Sequence, residues 1–151
     1  YNGEAVKISS GYVVGGQGSA ADTLGVLNGI FYNDASTLKP TFANFYKATI
    51  TPANSEDTTA FVIDDPFQLY VVAADTATGV TTFLETYDMN TSSGSDTTGK
   101  SDATLAIGTT SANDKQYRML RSAEDPENED ATAVRHSVIV VSNTNSFNGH
   151  N

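Results

Sequence analysis

Apolar and polar residues alternate in short runs along most of this 151-residue chain, and turn-forming residues separate the runs. A period of two is typical of β-strands, because successive side chains of a strand point to opposite faces of its sheet. The pattern predicts eight or nine strands, with a short helix as the alternative at residues 81–87. They cover residues 5–14, 26–32, 42–50, 60–63, 67–73, 81–87, 104–107, 116–120 and 134–141.

This spacing of strands and turn signals predicts an all-β fold, a small antiparallel β-barrel or sandwich of about eight short strands with an extended N-terminal arm. Glycines at positions 15, 16 and 18 break the first run and indicate a hinge. We therefore divide the chain into an arm and glycine hinge at 1–18, a β-domain at 19–142 and a polar tail at 143–151, which we expect to fray.

Composition supports strands and limits the classes of partner. Thr, Ser, Asn and Gly are abundant, seven Tyr and seven Phe supply bulk, and there is no Trp. The net charge of −10 disfavours binding to nucleic acid or to an anionic membrane, so neither is expected as a partner. It suits docking on a basic surface. The absence of Cys excludes disulfides and thiolate chemistry, so packing or assembly must supply stability.

Two glycine patterns match nucleotide-binding motifs, but their surroundings do not. A GxGxxA match begins at Gly16, yet a strand follows where a dinucleotide site requires a helix. Gly94–Ser101 reads GSDTTGKS and matches the P-loop pattern, yet the required buried strand and long helix are missing around it. We interpret the first as a hinge and the second as part of a solvated loop at 89–102, and we expect no cofactor.

Titratable residues suggest no reaction centre. Asp64 and Asp65 precede a proline and are typical of a turn, and the acidic run at 124–130 has no EF-hand spacing, so no metal site is predicted. His136 alternates with valines in the last predicted strand, and a structural role suits it better than a catalytic triad, because no GxSxG motif occurs. His150 lies in the tail. We expect no catalytic residues and no enzyme.

Three runs in the middle of the chain carry a resemblance to a known family. They are GVLNGIFY at 25–32, KPTFANFY at 39–46 and AFVIDDPFQLYVVAAD at 60–75, and a later TGKS at 98–101 is also similar. Together they resemble the small head proteins of tailed bacteriophages, the decoration or cement proteins on the outside of the capsid. The resemblance covers about half of the chain, and none of its motifs carries chemistry.

The resemblance implies a non-enzymatic structural protein that stabilises the outer surface of a virion capsid by bridging shell subunits. Its partners would be the major capsid protein and other copies of itself, as a trimer or a dimer. A tail-associated or carbohydrate- or receptor-binding β-domain of a virion is the alternative. A third possibility is an enzyme with an unrecognised carboxylate pair.

We predict that the N-terminal arm contacts the capsid or a neighbouring copy by adding a strand to its sheet, and that the arm can be deleted without unfolding the domain. The predicted contact residues are Val6, Lys7, Ile8, Tyr12 and Val13. An ordinary first strand of the domain is the other interpretation. We expect most of the central aromatic residues to fill the core and some to point outward. These are Phe31, Tyr32, Phe42, Phe45, Tyr46, Phe67 and Tyr70.

Overall fold

A computed structural model describes residues 1–16, 22–90, 94–108, 115–128 and 130–146. Within these ranges ten strands form two five-stranded sheets, and the helical content is two single 3-10 turns, at Ala53–Ser55 and Val80–Thr82. The predicted all-β fold is confirmed. In this part of the chain no helix has the length and apolar character needed to cross a lipid bilayer.

The first sheet is built around one long strand. Its members are β1 (Ala5–Ser9), β2 (Tyr12–Gly15), β3 (Gly25–Asn33), β4 (Pro40–Ala43) and β5 (Thr59–Ile63). β5 pairs with β3 along one edge, and β1 and β4 pair in succession with the other edge, all antiparallel. β2 pairs with β1 and forms the outer edge of the sheet.

The second sheet curls toward a barrel. It contains β6 (Leu69–Ala74), β7 (Thr86–Tyr87), β8 (Thr104–Leu105), β9 (Tyr117–Ser122) and β10 (Ser137–Ser142), in the order β7-β9-β10-β6-β8. The pairs are antiparallel except for β6 and β8, which run parallel. Met89, two residues beyond β7, forms a bridge with Leu105 of β8. The two ends of the sheet therefore meet.

Each sheet encloses its own hydrophobic core. The core of the second sheet contains Leu105, Met119 and Val138, all fully buried, together with Ala5. The core of the first sheet contains Val6 and neighbouring aliphatic side chains. Successive residues of a strand point to opposite faces. Ala5 and Val6 therefore place β1 between the two cores.

The N-terminal segment predicted as a separate arm is instead a hairpin built into the first sheet. Ser10 and Gly11, with φ of +51° and +85°, make a two-residue turn between β1 and β2. Positive φ at both central residues matches the twist of paired strands. Gly16 of the predicted hinge is buried and donates its N–H to the Ala5 carbonyl. The ordinary first-strand interpretation therefore describes β1.

Other segments also differ from the prediction. At 81–87, where a strand or a short helix is predicted, Val80–Thr82 is a 3-10 turn and Thr86–Tyr87 is a strand. The strand predicted at 42–50 ends at Ala43, and the residues after it turn, with the Ile50 N–H donating to the Lys47 carbonyl. Residues 143–146, predicted to belong to a fraying tail, are held against the domain by a bridge between Asn145 and Thr23. The rest of the predicted tail, including His150, lies outside the described residues.

Candidate interaction surfaces

The outer side of the first sheet presents an exposed aromatic face made by Phe31, Phe42 and Phe61. Phe31 pairs with Phe42 across β3 and β4, and Phe61 pairs with Gly29, two residues before Phe31. Directly paired residues and residues two apart share a face, so the three rings lie side by side. They are 37%, 58% and 44% exposed, and the Phe42 and Phe61 ring centroids lie 5.7 Å apart.

Gly29 makes room for this arrangement. The register of β3 and β5 shifts between Leu27 and Gly29, which marks a β-bulge with Asn28 as its extra residue. Gly29 has φ of +151°, and a Cβ there would lie 2.6 Å from the Phe42 ring. The bulge and the missing side chain therefore let Phe42 lie over the strand backbone.

The second sheet exposes a separate aliphatic face, made by Leu69 and Val71 of β6. Leu69 is 52% exposed and Val71 is 69% exposed, and their partners Val141 and Ile139 in β10 are half-buried. Since the two faces belong to different sheets, one molecule offers two apolar surfaces.

A cleft of about 760 Å³ lies beside β2. Val6, Leu27 and Ile30 contribute to its apolar lining, and residues 11–15 form one side. Its lining includes three carboxylates, on Glu4, Glu56 and Asp57, and no Lys, Arg or His. The cleft is therefore acidic and apolar at once.

The predicted contact residues do not share one environment. Val6 is 3% exposed and belongs to the core, and it reaches the surface only in the lining of the cleft. Ile8, Tyr12 and Val13 are exposed on the hairpin, at 54%, 63% and 38%. Lys7 is half-buried.

The expectation that most central aromatic residues fill the core is wrong. None of the seven named above is buried: Tyr32 and Tyr70 pack partly against the cores, and Phe67 is 82% exposed. Among the described residues the buried aromatic side chains are those of Tyr87 and Tyr117, which the pattern did not single out. Phe61, Leu69 and Val71 were also missed as surface residues, because their runs are apolar on both faces and alternation does not orient them.

The P-loop match at 94–101 is a closed turn. Gly94 and Ser101 bridge each other, and the Gly99 N–H donates to the Ser95 carbonyl at 2.7 Å. A phosphate site needs such N–H groups to point at the ligand. Asn2 exchanges hydrogen bonds with Gly99 and Ser101, so this loop is attached to the N-terminal segment. Apart from Gly16, the GxGxxA match lies outside the described residues.

The acidic residues Asp65 and Asp130 lie in turns, where their carboxylates accept hydrogen bonds from nearby residues. Asp65 accepts a hydrogen bond from the Phe67 N–H at 2.9 Å, as predicted for a turn. Asp130 accepts hydrogen bonds from the hydroxyl and the N–H of Thr132, and these bonds lower the pKa of its carboxyl.

His136 is buried and its Nδ1 contacts the Asn128 carbonyl oxygen at 3.0 Å. Across the described ranges no three His, Asp or Glu side chains are grouped to hold a metal ion.

Comparison with known proteins yields no relative: no family model, no curated protein and no solved structure matches this chain.

Proposed function

We propose that this protein is a non-enzymatic structural component of a tailed-phage virion, which decorates and stabilises the outside of the capsid. One observation carries the proposal. The three runs that resemble phage head proteins contain β3, β4 and, in the third run, β5 followed by β6. β4 and β5 both pair with β3, and each run supplies one ring of the aromatic face, Phe31, Phe42 and Phe61. Exposed aromatic clusters mark contact surfaces of proteins.

The second apolar face suits a bridging role. Each of two shell subunits can contact one apolar surface, and the aromatic face and the aliphatic face at Leu69 and Val71 are two such surfaces. Contacts repeated over a closed lattice then add through multivalency. In this proposal the partners are the major capsid protein and other copies of the chain, as a trimer or a dimer. Lys7, Ile8, Tyr12 and Val13 are further contact residues on the hairpin.

The test measures binding to particles. Purified virions of the encoding phage are stripped of the protein and then titrated with it. The double substitution F42S/F61S should weaken binding about tenfold or more, because central aromatic residues of an interface each contribute ~1–2 kcal/mol or more. Val80→Ser is the control, since Val80 is 84% exposed on the connection between β6 and β7. Equal binding of the wild-type protein, F42S/F61S and Val80→Ser would contradict the proposal.

Copy number decides between the two virion roles. A decoration protein should be present in hundreds of copies spread over the shell, as seen by quantitative gel analysis and particle imaging. Copies confined to the tail would favour the alternative, a tail-associated or receptor-binding β-domain.

A further inference from the structure

We propose that the cleft beside β2 binds an extended peptide segment in which basic and aliphatic residues alternate, and that the segment pairs with β2 as an additional strand. The inference depends on this cleft alone and not on a role in a capsid.

The free edge of β2 is the first argument. In a two-residue hairpin the pair next to the turn, here Ser9 and Tyr12, exchanges hydrogen bonds, and the pattern then alternates. The N–H and C=O groups of Tyr12 and Val14 therefore point to β1, and those of Val13 and Gly15 point away from it. Within the described ranges no hydrogen bond to the outward groups of Val13 and Gly15 is found.

In the described part of the chain, this edge also lacks the features that protect an unpaired strand. Exposed edges are blocked in most proteins by a charge, a proline, a bulge or a covering segment. β2 reads Tyr-Val-Val-Gly, all four residues are exposed, and its register with β1 is regular. An apolar edge of this kind pairs readily with an extended segment.

The position of the cleft fits such a segment. Five consecutive residues, 11–15, line it. Because neighbouring side chains of a strand point to opposite faces, a wall of consecutive residues presents the backbone edge as well. Val6, Leu27 and Ile30 lie within reach of aliphatic side chains that an added strand would direct inward.

Charge determines the kind of segment. Glu56 and Asp57 are exposed on the side of the cleft lined by residues 52–58, and no Lys, Arg or His lines the cleft. The third carboxylate, on Glu4, is paired with the Tyr1 ammonium at 2.5 Å, so Glu56 and Asp57 supply the negative charge that a ligand meets. Lys and Arg are therefore favoured: their methylene groups cover apolar surface while their charges reach the carboxylates. A second copy of this chain is disfavoured, because its net charge of −10 would meet the same carboxylates.

The experiment uses a short synthetic peptide of alternating Lys and Val, with one of alternating Glu and Val as its control. Binding is followed by fluorescence anisotropy and by amide chemical shifts of the protein. The Lys–Val peptide should bind and shift the amides of Val13 and Gly15, and the Glu–Val peptide should not bind. Failure of the Lys–Val peptide to bind, or shifts confined to other strands, would overturn the proposal.

Two sets of variants separate the contribution of the backbone hydrogen bonds to binding from the contribution of the carboxylates. Val13→Pro removes one outward N–H, and an edge strand tolerates proline at such a position. It should weaken binding about tenfold, the equivalent of one or two backbone hydrogen bonds, while Val13→Ala should change it less than about threefold. E56Q/D57N should weaken binding at low salt and lose its effect at high salt. If Val13→Pro does not fold, the amide shifts and the charge variants decide. Light scattering measures whether the protein forms a dimer, and a dimer that forms through β2 would count against the proposal.

Discussion

At the scale of single residues, the Gln116 side chain joins parts of the fold that are distant in sequence. It is fully buried and directly precedes β9. Its side-chain Oε1 accepts the Met89 N–H at 3.0 Å, and its Nε2 donates to the Gly16 carbonyl. The backbone carbonyl of Gln116 accepts the Asn143 N–H at 2.8 Å. One side chain thus joins the end of β2 to the segment that follows β7.

Replacing this side chain should destabilise the protein strongly. Gln116→Leu keeps the volume but leaves the Met89 N–H and the Gly16 carbonyl without partners. Each buried group left unpaired costs ~1–3 kcal/mol, so we expect the free energy of unfolding to fall by about 2–5 kcal/mol. Gln68→Leu, at an exposed turn, should change it by less than about 0.5 kcal/mol. Urea unfolding measures both, and equal stabilities would show that the Gln116 bonds contribute nothing.

Tyr117 makes the stability of the fold depend on pH in the alkaline range. Burial raises the pKa of its hydroxyl, and the charge interaction with Tyr70 adds to the shift. The unfolded chain ionises near the ordinary tyrosine pKa of about 10, whereas the folded chain stays protonated. Stability is therefore fully present below pH ~10 and is lost as pH rises above it, by up to ~1.4 kcal/mol per pH unit for one proton.

Tyr117→Phe should remove most of this loss. Stability is measured by urea unfolding across the alkaline range, and tyrosinate absorbance follows the ionisation. Burial and Glu85 also raise the pKa of Tyr87, by a smaller amount, so Tyr87→Phe should flatten the profile less. Identical profiles for the wild type and Tyr117→Phe would place the alkaline sensitivity elsewhere.

At the scale of elements, strand positions were largely predictable and their partners were not. β3, β5 and β10 follow from alternation and flanking turn signals, and each lies close to its predicted position. The turn at Ser10 and Gly11 was missed because apolar residues on both sides read as one run. Only long-range contacts show that Ala5 and Val6 pack into different cores, or that β6 and β8 pair in parallel.

The aromatic face was predictable only in part from the sequence, and the cleft was not predictable. The sequence identified aromatic runs as contact candidates, but the face of each ring depends on the bulge at Asn28 and on the place of each strand in the sheet. The cleft could not be predicted, because it is formed by segments distant in sequence. Its carboxylates on Glu56 and Asp57 lie in the connection between β4 and β5, where the local sequence gives no sign that β2 lies opposite.

The hairpin of β1 and β2 should be essential for folding. The earlier expectation that residues 1–14 can be deleted does not suit a strand that lies between two cores and accepts the Leu24 N–H at the Val6 carbonyl. Domains of this size are stable by only ~5–15 kcal/mol, so loss of the strand should leave the chain unfolded. The double substitution Tyr12→Ser and Val13→Ala should change stability by ~1 kcal/mol or less, because both side chains are exposed. Circular dichroism distinguishes these outcomes, and a folded deletion product would restore the arm interpretation.

At the scale of the whole molecule, charge and apolar surface favour different kinds of docking. Acidic residues exceed basic ones by ten. The turn carboxylates of Asp125 and Asp130 are exposed and accept hydrogen bonds from Glu127 and Thr132 of their own loop. The aromatic and aliphatic faces need no counter-charge. We therefore expect the acids of this loop to face solvent while the apolar faces supply the capsid contact.

Release from purified particles across a salt series tests this division. Exposed charge pairs are screened beyond roughly 10 Å at 0.1 M salt, so electrostatic docking should weaken as salt rises, whereas apolar docking should hold or strengthen. We expect occupancy to be retained in high salt. Replacing the loop acids by Ser should also leave occupancy unchanged, since a Ser hydroxyl can accept the same local N–H bonds at 125 and 130. Complete release in moderate salt would rule out apolar docking, and a loss of occupancy confined to the Ser variant would place the loop inside the contact surface.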